Sequence, residues 1–247
     1  MKRGIISVVC LMFFALPSNS YGDAHGQDTG VVGKVGLGLS GNFNFPVFGM
    51  SDRFRAQEAF GLYFTYARDA RNTLEVEYHR TRFDPGKIQE ATFYWPEDKP
   101  EEWQKITSPL ARNHMTVNAF TINGLYHLKA RTGGSDGVVG SPFITYGGGF
   151  YHYKNSVSGL IFAGQPNLGG GIDTTLELAP FDDTDVAWGL NVGLGVEVLA
   201  GSRAAVDARA RWNLLIGELR QMESYGVART FPLHYFEIGL SVKYYVM

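Results

Sequence analysis

Glu75, Glu77 and His79 occupy alternate positions of one short stretch, Leu74-Glu-Val-Glu-Tyr-His79. At that spacing two carboxylates and an imidazole share one face of an extended strand. There they could pass protons as general acid and base, or hold a cation. Further charges recur with the same period: Asp207, Arg209 and Arg211 on one stretch, Glu237 and Lys243 on another, with Glu197 and Lys34 on two more. Catalysis would use only the first three. Charges of both signs on one face of several strands have a plainer explanation, and it depends on what the strands enclose.

The composition narrows what they enclose. Of 247 residues 31 are glycine, 14% are aromatic and only 19% are charged. This is too apolar for a disordered chain and suits strands and tight turns. Cys10 is the single cysteine, which excludes a disulfide framework and a cysteine-based zinc site. A formal charge of −2 leaves no basic footprint for nucleic acid. No motif asks for a cofactor, and none is expected, nor is a metal. No apolar run reaches the ~20 residues of a membrane-crossing helix. That excludes a helical membrane protein and leaves crossing by strands open.

The N-terminus has the layout of an export signal. Lys2 and Arg3 precede the apolar run Ile5 to Leu16, Pro17 breaks it, and Ser18-Asn-Ser-Tyr-Gly22 follows. Cleavage is expected after Gly22. The chain then divides into a signal peptide (1–22), a short N-terminal segment (23–30) and one domain (31–247).

That domain alternates with period two. The alternation is cleanest in Val35 to Phe43, Leu74 to His79, Val186 to Val198, Val206 to Leu214 and Phe236 to Val246. Three further strands are expected near Phe60 to Ala67, Met115 to Leu128 and Phe143 to Tyr153. In the second of these Phe120 and Ile122 break parity with Met115 and Val117, which predicts a bulge or a shift of face.

The connections between the eight strands run long, short, long, short, long, short, long. Successive connections of an up-and-down sheet lie at opposite ends, so every long one lies at the same end. Short periplasmic turns and long extracellular loops are the pattern of a transmembrane barrel. The face opposite the large apolar residues holds Gly36, Gly38, Gly61, Gly189, Gly193, Gly195 and Gly239. A crowded lumen needs small residues, and a water-exposed outer surface does not. The expected fold is therefore all-β: an eight-stranded antiparallel up-and-down transmembrane β-barrel with four long extracellular loops.

The glycine-laced Gly33-Lys-Val-Gly-Leu-Gly-Leu-Ser-Gly41, the stretch Trp188-Gly-Leu-Asn-Val-Gly-Leu-Gly-Val-Glu197, the export signal and the alternating last strand resemble eight-stranded outer-membrane barrels of the OmpA, OmpX and OmpW-like group. The resemblance covers about Val31 to Met247. It implies residence in the cell outer membrane, contact with outer-membrane lipid and lipopolysaccharide, and delivery by the barrel-insertion machinery. One departure is visible: such barrels end on an aromatic residue, and this chain ends Tyr244-Tyr245-Val246-Met247.

In such a barrel Lys34, Glu75, Glu77, His79, Glu197, Asp207, Arg209, Arg211, Glu237 and Lys243 face a lumen just wide enough for side chains to fill. Opposite charges there should pair, because isolated ones are costly. Antiparallel counting places Asp207 near Lys243, Arg211 near Glu237, and Glu197 near Arg209. Arg80, Arg82 and Arg112 share an outward position near the extracellular rim, where guanidinium groups could meet lipopolysaccharide phosphates. In the loops, Pro100-Glu-Glu-Trp103 resembles a first helical turn, and Phe93-Tyr-Trp95 could meet an extracellular partner. Asp182-Asp-Thr-Asp185 is expected in the third long loop. The function expected is a structural or interaction barrel without turnover. A narrow or gated conduit for small or apolar solutes is the alternative. Less favoured is a lipid A or phospholipid-modifying enzyme drawing on His114, His152, His234, Ser156, Ser158 and Asp185.

Overall fold

The computed structural model describes residues 30–95, 104–131, 139–166, 171–201, 203–220, 222–225, 227 and 229–246. The expected signal peptide (1–22) and Pro100–Trp103 lie outside the described residues. Eight long strands run in order: β1 (Val35–Pro46), β3 (Gln57–Ala67), β4 (Asn72–Pro85), β7 (Arg112–His127), β8 (Val139–Ser158), β9 (Phe181–Ala200), β10 (Ala204–Ile216) and β11 (Leu233–Val246). Each pairs antiparallel with its neighbour in sequence, and β1 pairs with β11 to close the barrel.

The alternation decides what faces where. Along β11, Phe236, Ile238, Leu240, Val242 and Tyr244 point outward and are exposed, while Tyr235, Glu237, Ser241 and Lys243 are buried inside. β10 does the same, with Val206 outside and Asp207, Arg209 and Arg211 inside. The glycine face is the inner one, as expected. A Cβ on Gly193 would stand 2.7 Å from Cγ of Arg211, and one on Gly189 would stand 2.7 Å from the Tyr151 ring. Glycine on one strand thus makes room for a long inward side chain on the next.

Three expectations about the strands need correction. β7 has no bulge: its register runs unbroken from Arg112 to His127 against β8, and from Met115 to Tyr126 against β4. Its outward face does not shift either. What changes is the lining, because Met115, Val117 and Ala119 face an apolar upper interior, and Thr121 and Asn123 a polar lower one. Secondly, β8 and β9 are 20 residues long. A tilted membrane crossing needs only about 9–11 residues, so these strands are about twice that length. That extension carries the third correction: Asp182 to Asp185 belong to β9 and not to a loop.

The long loops fold over one end of the barrel. The first carries a short helix, α1 (Gly49–Arg53), and β2 (Phe54–Arg55), which pairs with Asp84 and Pro85 of β4. The second carries a hairpin of β5 (Thr92–Trp95) and β6 (Gln104–Thr107). Phe93 and Trp95 turn into a cluster with Ile88, Val157, Ile161 and Tyr225, so three of the four loops share one apolar core.

Candidate functional site

The interior is built in two layers. The lower one is ionic. Arg211 on β10 lies across from Glu237 on β11 and donates to its Oε1 from Nη2 at 2.6 Å and from Nε at 2.9 Å. The same guanidinium reaches over the lumen to Glu77 on β4, with a second bond from Nη2 to Oε1 of 2.7 Å beside the one from Nη1. One arginine therefore ties together two walls of the barrel. Arg209, two residues down, does likewise: it donates to Glu75 at 2.7 and 3.2 Å and to Asp207 at 2.9 and 3.0 Å. Lys243 stands 2.8 Å from Asp207, 3.0 Å from Glu197 and 3.7 Å from Glu75. The ring of Tyr63 lies under both cations, 5.2 Å from the Arg209 guanidinium carbon and 5.5 Å from Nζ of Lys243.

Two of the three expected pairs form, Arg211 with Glu237 and Asp207 with Lys243. The third does not. Register places Glu197 opposite Asp207, while Arg209 lies opposite Gly195. Two adjacent acids would repel, and two other cations compensate: Lys243 bridges them, and Arg131 donates to Glu197 at 3.1 Å. Sequence reasoning missed Arg131. It follows β7 in a short turn, outside any alternating stretch, and folds back to donate to Thr73 at 2.6 Å and to the Asp69 carbonyl at 3.3 Å. Its complete burial in a turn has no signature in hydrophobic period. Lys34 differs as well. It precedes β1 by one residue and is only half-buried, outside the fully buried layer.

Glu75, Glu77 and His79, the trio that opens a catalytic possibility, are accounted for individually. Glu75 holds Arg209, and Glu77 holds Arg211. His79 Nε2 lies 3.0 Å from the Tyr235 hydroxyl, and its Nδ1 is 3.4 Å from Glu77. Ligand atoms of Glu77, His79 and Glu237 lie within 4.8 Å of one another, close enough for a metal ion. Arg211 already bonds both carboxylates and supplies the positive charge that an ion would.

Above this layer lies an apolar cluster, bordered by the buried Asn113 and Asn155. Phe83, Met115, Val117, Ala119, Tyr151, Tyr153, Leu215, Leu219, Leu233 and Tyr235 form one buried cluster. Met50 of α1 and Phe54 of β2 enter it from the first loop. Arg53, between them, donates to the Arg220 carbonyl at 3.0 Å, and burial pulls its guanidinium down to about 10 despite the nearby Asp183. The lumen is thus closed twice, by ion pairs below and by packed rings above.

The candidate hydrolytic residues do not assemble. His114, Ser156 and Asp182 share one rung of β7, β8 and β9, but Ser156 donates to Asp182 at 2.6 Å, and Asp182 also pairs with Lys154 at 2.8 Å. A nucleophile needs its base in contact and that base oriented by a third group; here the serine bonds the carboxylate directly. His152 faces Val186, and His234 stacks on Trp212 at 5.5 Å between ring centroids.

The fold and the doubly closed lumen define the class: a closed eight-stranded antiparallel barrel, apolar outside and charged within. No protein-family model matches the sequence, and no curated protein matches it. Among solved structures the chain is similar to a major outer membrane protein from Thermus thermophilus, at 9% identity and a TM-score of 0.48, covering 86% of this chain and 99% of that one. It is also similar to Neisserial surface protein A, at 11% and 0.45, covering 85% and 96%. A third is OprG from Pseudomonas aeruginosa, at 14% and 0.42, covering 88% and 99%.

Proposed function

We propose that this protein is an integral outer-membrane barrel with a structural or interaction role, displaying a packed canopy of loops and performing no turnover. The belt of outward Leu, Ile, Val and Phe supports the membrane reading, since a closed barrel leaves no backbone group unpaired in lipid. The observation that carries the functional reading is the double closure of the lumen. For solute to pass, Arg211 would have to leave two carboxylates, and the Phe83–Tyr235 layer would have to part. On this reading the outward chemistry of the chain lies in its loops, where Tyr94 and Phe162 are exposed beside buried neighbours and could meet an extracellular partner. Insertion by the barrel-insertion machinery belongs to the same proposal.

Two measurements test it. Unboiled refolded protein should migrate differently from boiled protein in detergent gels, because the closed hydrogen-bonded ring resists unfolding. In planar bilayers the same sample should show no sustained conductance. Steady openings, or selective uptake of apolar solutes into liposomes, would replace this reading by the conduit.

A further inference from the structure

The outer wall carries cations in one sector only. Among the described residues of the eight barrel strands, the outward Lys and Arg are Arg80 and Arg82 on β4, Arg112 on β7 and Lys154 on β8. The outward positions of β1, β3, β9, β10 and β11 have none. The register sets their order above the apolar belt. Tyr78, Phe120, Phe150 and Trp188 form one rung across β4, β7, β8 and β9. Such an aromatic rung is characteristic of the membrane–water interface. The next outward rung is Arg80, Asn118, His152 and Val186, and the one above it is Arg82, Thr116, Lys154 and Thr184.

These rungs make a notch. Half-buried Thr116 and Asn118 form its floor, Arg80 and Arg82 one side, and His152 and Lys154 the other. Adjacent strands lie about 4.8 Å apart, so the two sides are roughly 10 Å apart at the backbone, within the span of two long side chains. Arg112 does not belong. It is four residues beyond Thr116, about 13 Å further up, and Lys154 takes the place expected for it.

Arg80 and Arg82 have no ion-pair partner among the described residues, and a charge on the lipid side of a barrel is costly towards the bilayer midplane. The acids nearby are Asp182, engaged with Lys154 and Ser156; Asp84, two residues beyond Arg82 on β4, which accepts from Gln57 at 2.7 Å; and exposed Glu58 on β3, the strand adjoining β4. We infer that this notch binds the phosphate groups of the lipid A headgroup, with Arg80 and Arg82 as the principal contacts and Lys154 shared with Asp182. Guanidinium suits the site because it offers paired donors to phosphate oxygens and sheds water readily. Tyr78 is positioned to line the acyl side: its hydroxyl donates to Asn118 Oδ1 at 3.0 Å, at the boundary between ring belt and polar notch.

The inference rests on the membrane reading above, and its test separates the two. Refolded protein is placed in phosphatidylcholine nanodiscs doped with diphosphoryl lipid A, fully dephosphorylated lipid A or phosphatidylglycerol, and the lipid retained is counted by native mass spectrometry. The parent should retain diphosphoryl lipid A in preference to both others. The R80S/R82S variant should lose that retention about tenfold or more, since two charge-assisted bonds are removed. The R68S/K129S variant, altered at the opposite end of the barrel, should match the parent. Equal retention by R80S/R82S, or of dephosphorylated lipid A, would overturn the site, and equal retention of phosphatidylglycerol would overturn its assignment to lipid A. A gel shift on boiling in all three proteins keeps the barrel standing whatever the lipid result; its absence from the parent would sink barrel and site together.

Discussion

Arg211 and Glu237 face each other across β10 and β11 at 2.6 Å, and the same guanidinium is held from the far wall by Glu77. All three side chains are almost wholly inaccessible to solvent. The salt bridge is thus a tie across the lumen as well as a cross-strand pair, and removing the arginine orphans two carboxylates. Breaking a buried ion pair typically costs about 3–5 kcal/mol, and water entering the polar layer would bring the loss to the lower end. Arg211→Ala should therefore lower the urea midpoint by roughly 3 kcal/mol of stability. Adding Glu237→Ala should restore part of it, because one orphaned acid is removed. Simple addition of the two losses would mean that the tie is not formed in solution.

Gly193 lies opposite Arg211 on the neighbouring strand, β9. A Cβ there would approach the Arg211 Cα at 2.9 Å as well as its Cγ, and one of these is backbone. Gly193→Ala should destabilise the barrel by about 1–3 kcal/mol, the range for overpacking. Gly41, on the outer face with no atom within 4 Å of its would-be Cβ, is the control. Gly41→Ala should be neutral or slightly stabilising in the same urea titration.

The architecture was legible because period two and loop lengths are local features of the chain. They place eight strands, both faces, and the inward charges on β4, β10 and β11. Register was legible where a strand pair could be counted inward from a short turn or the chain end, as for Asp207 and Lys243. It failed for Glu197 and Arg209 because counting gives neighbours around the wall, whereas Arg209 reaches across the lumen to Glu75. Contacts over the diameter depend on barrel closure, which no local pattern encodes. The apolar upper layer was misread for a related reason: Met115 and Val117 look outward if every inner surface is taken to be polar, and in this barrel only the lower half is.

Asp69, in the turn between β3 and β4, gives a prediction about pH outside the membrane-spanning strands. Partial burial pushes its carboxyl up, but the Arg71 and Asn72 amides at 2.8 Å and the Asn72 side chain more than offset this, so it titrates below the ordinary carboxylate range. A depressed folded pKa contributes stability above the unfolded value of about 3.9, and that stability is lost as pH falls. Asp69→Ala should therefore reduce stability at pH 7 by about 1 kcal/mol, as for the loss of a capping carboxylate. The gap between parent and variant should narrow as the pH of the urea titrations falls below about 4. A constant gap would assign the effect to packing.

Arg131 supplies the sharpest check on the ionic layer, because it enters from a turn. It contacts Glu197, Thr73 and the Asp69 carbonyl, and so joins the β7–β8 turn to β9, to β4 and to the β3–β4 turn. Without it, Glu197 keeps Lys243, which also serves Asp207 and Glu75. Three acids would then draw on Lys243 and Arg209 alone, and the lower layer would carry one unbalanced negative charge more. A double-mutant cycle of Arg131→Ala with Glu197→Ala should give a coupling of about 1–3 kcal/mol, as for residues bonded within one network. The cycle of Arg209→Ala with Glu197→Ala should give a smaller value, since those two are linked indirectly, through Lys243 with Asp207 and Glu75. Both are read from urea midpoints of refolded protein at one pH. If the second coupling exceeds the first, Glu197 pairs with Arg209 after all, and the arginine in the turn is ornamental to the lumen.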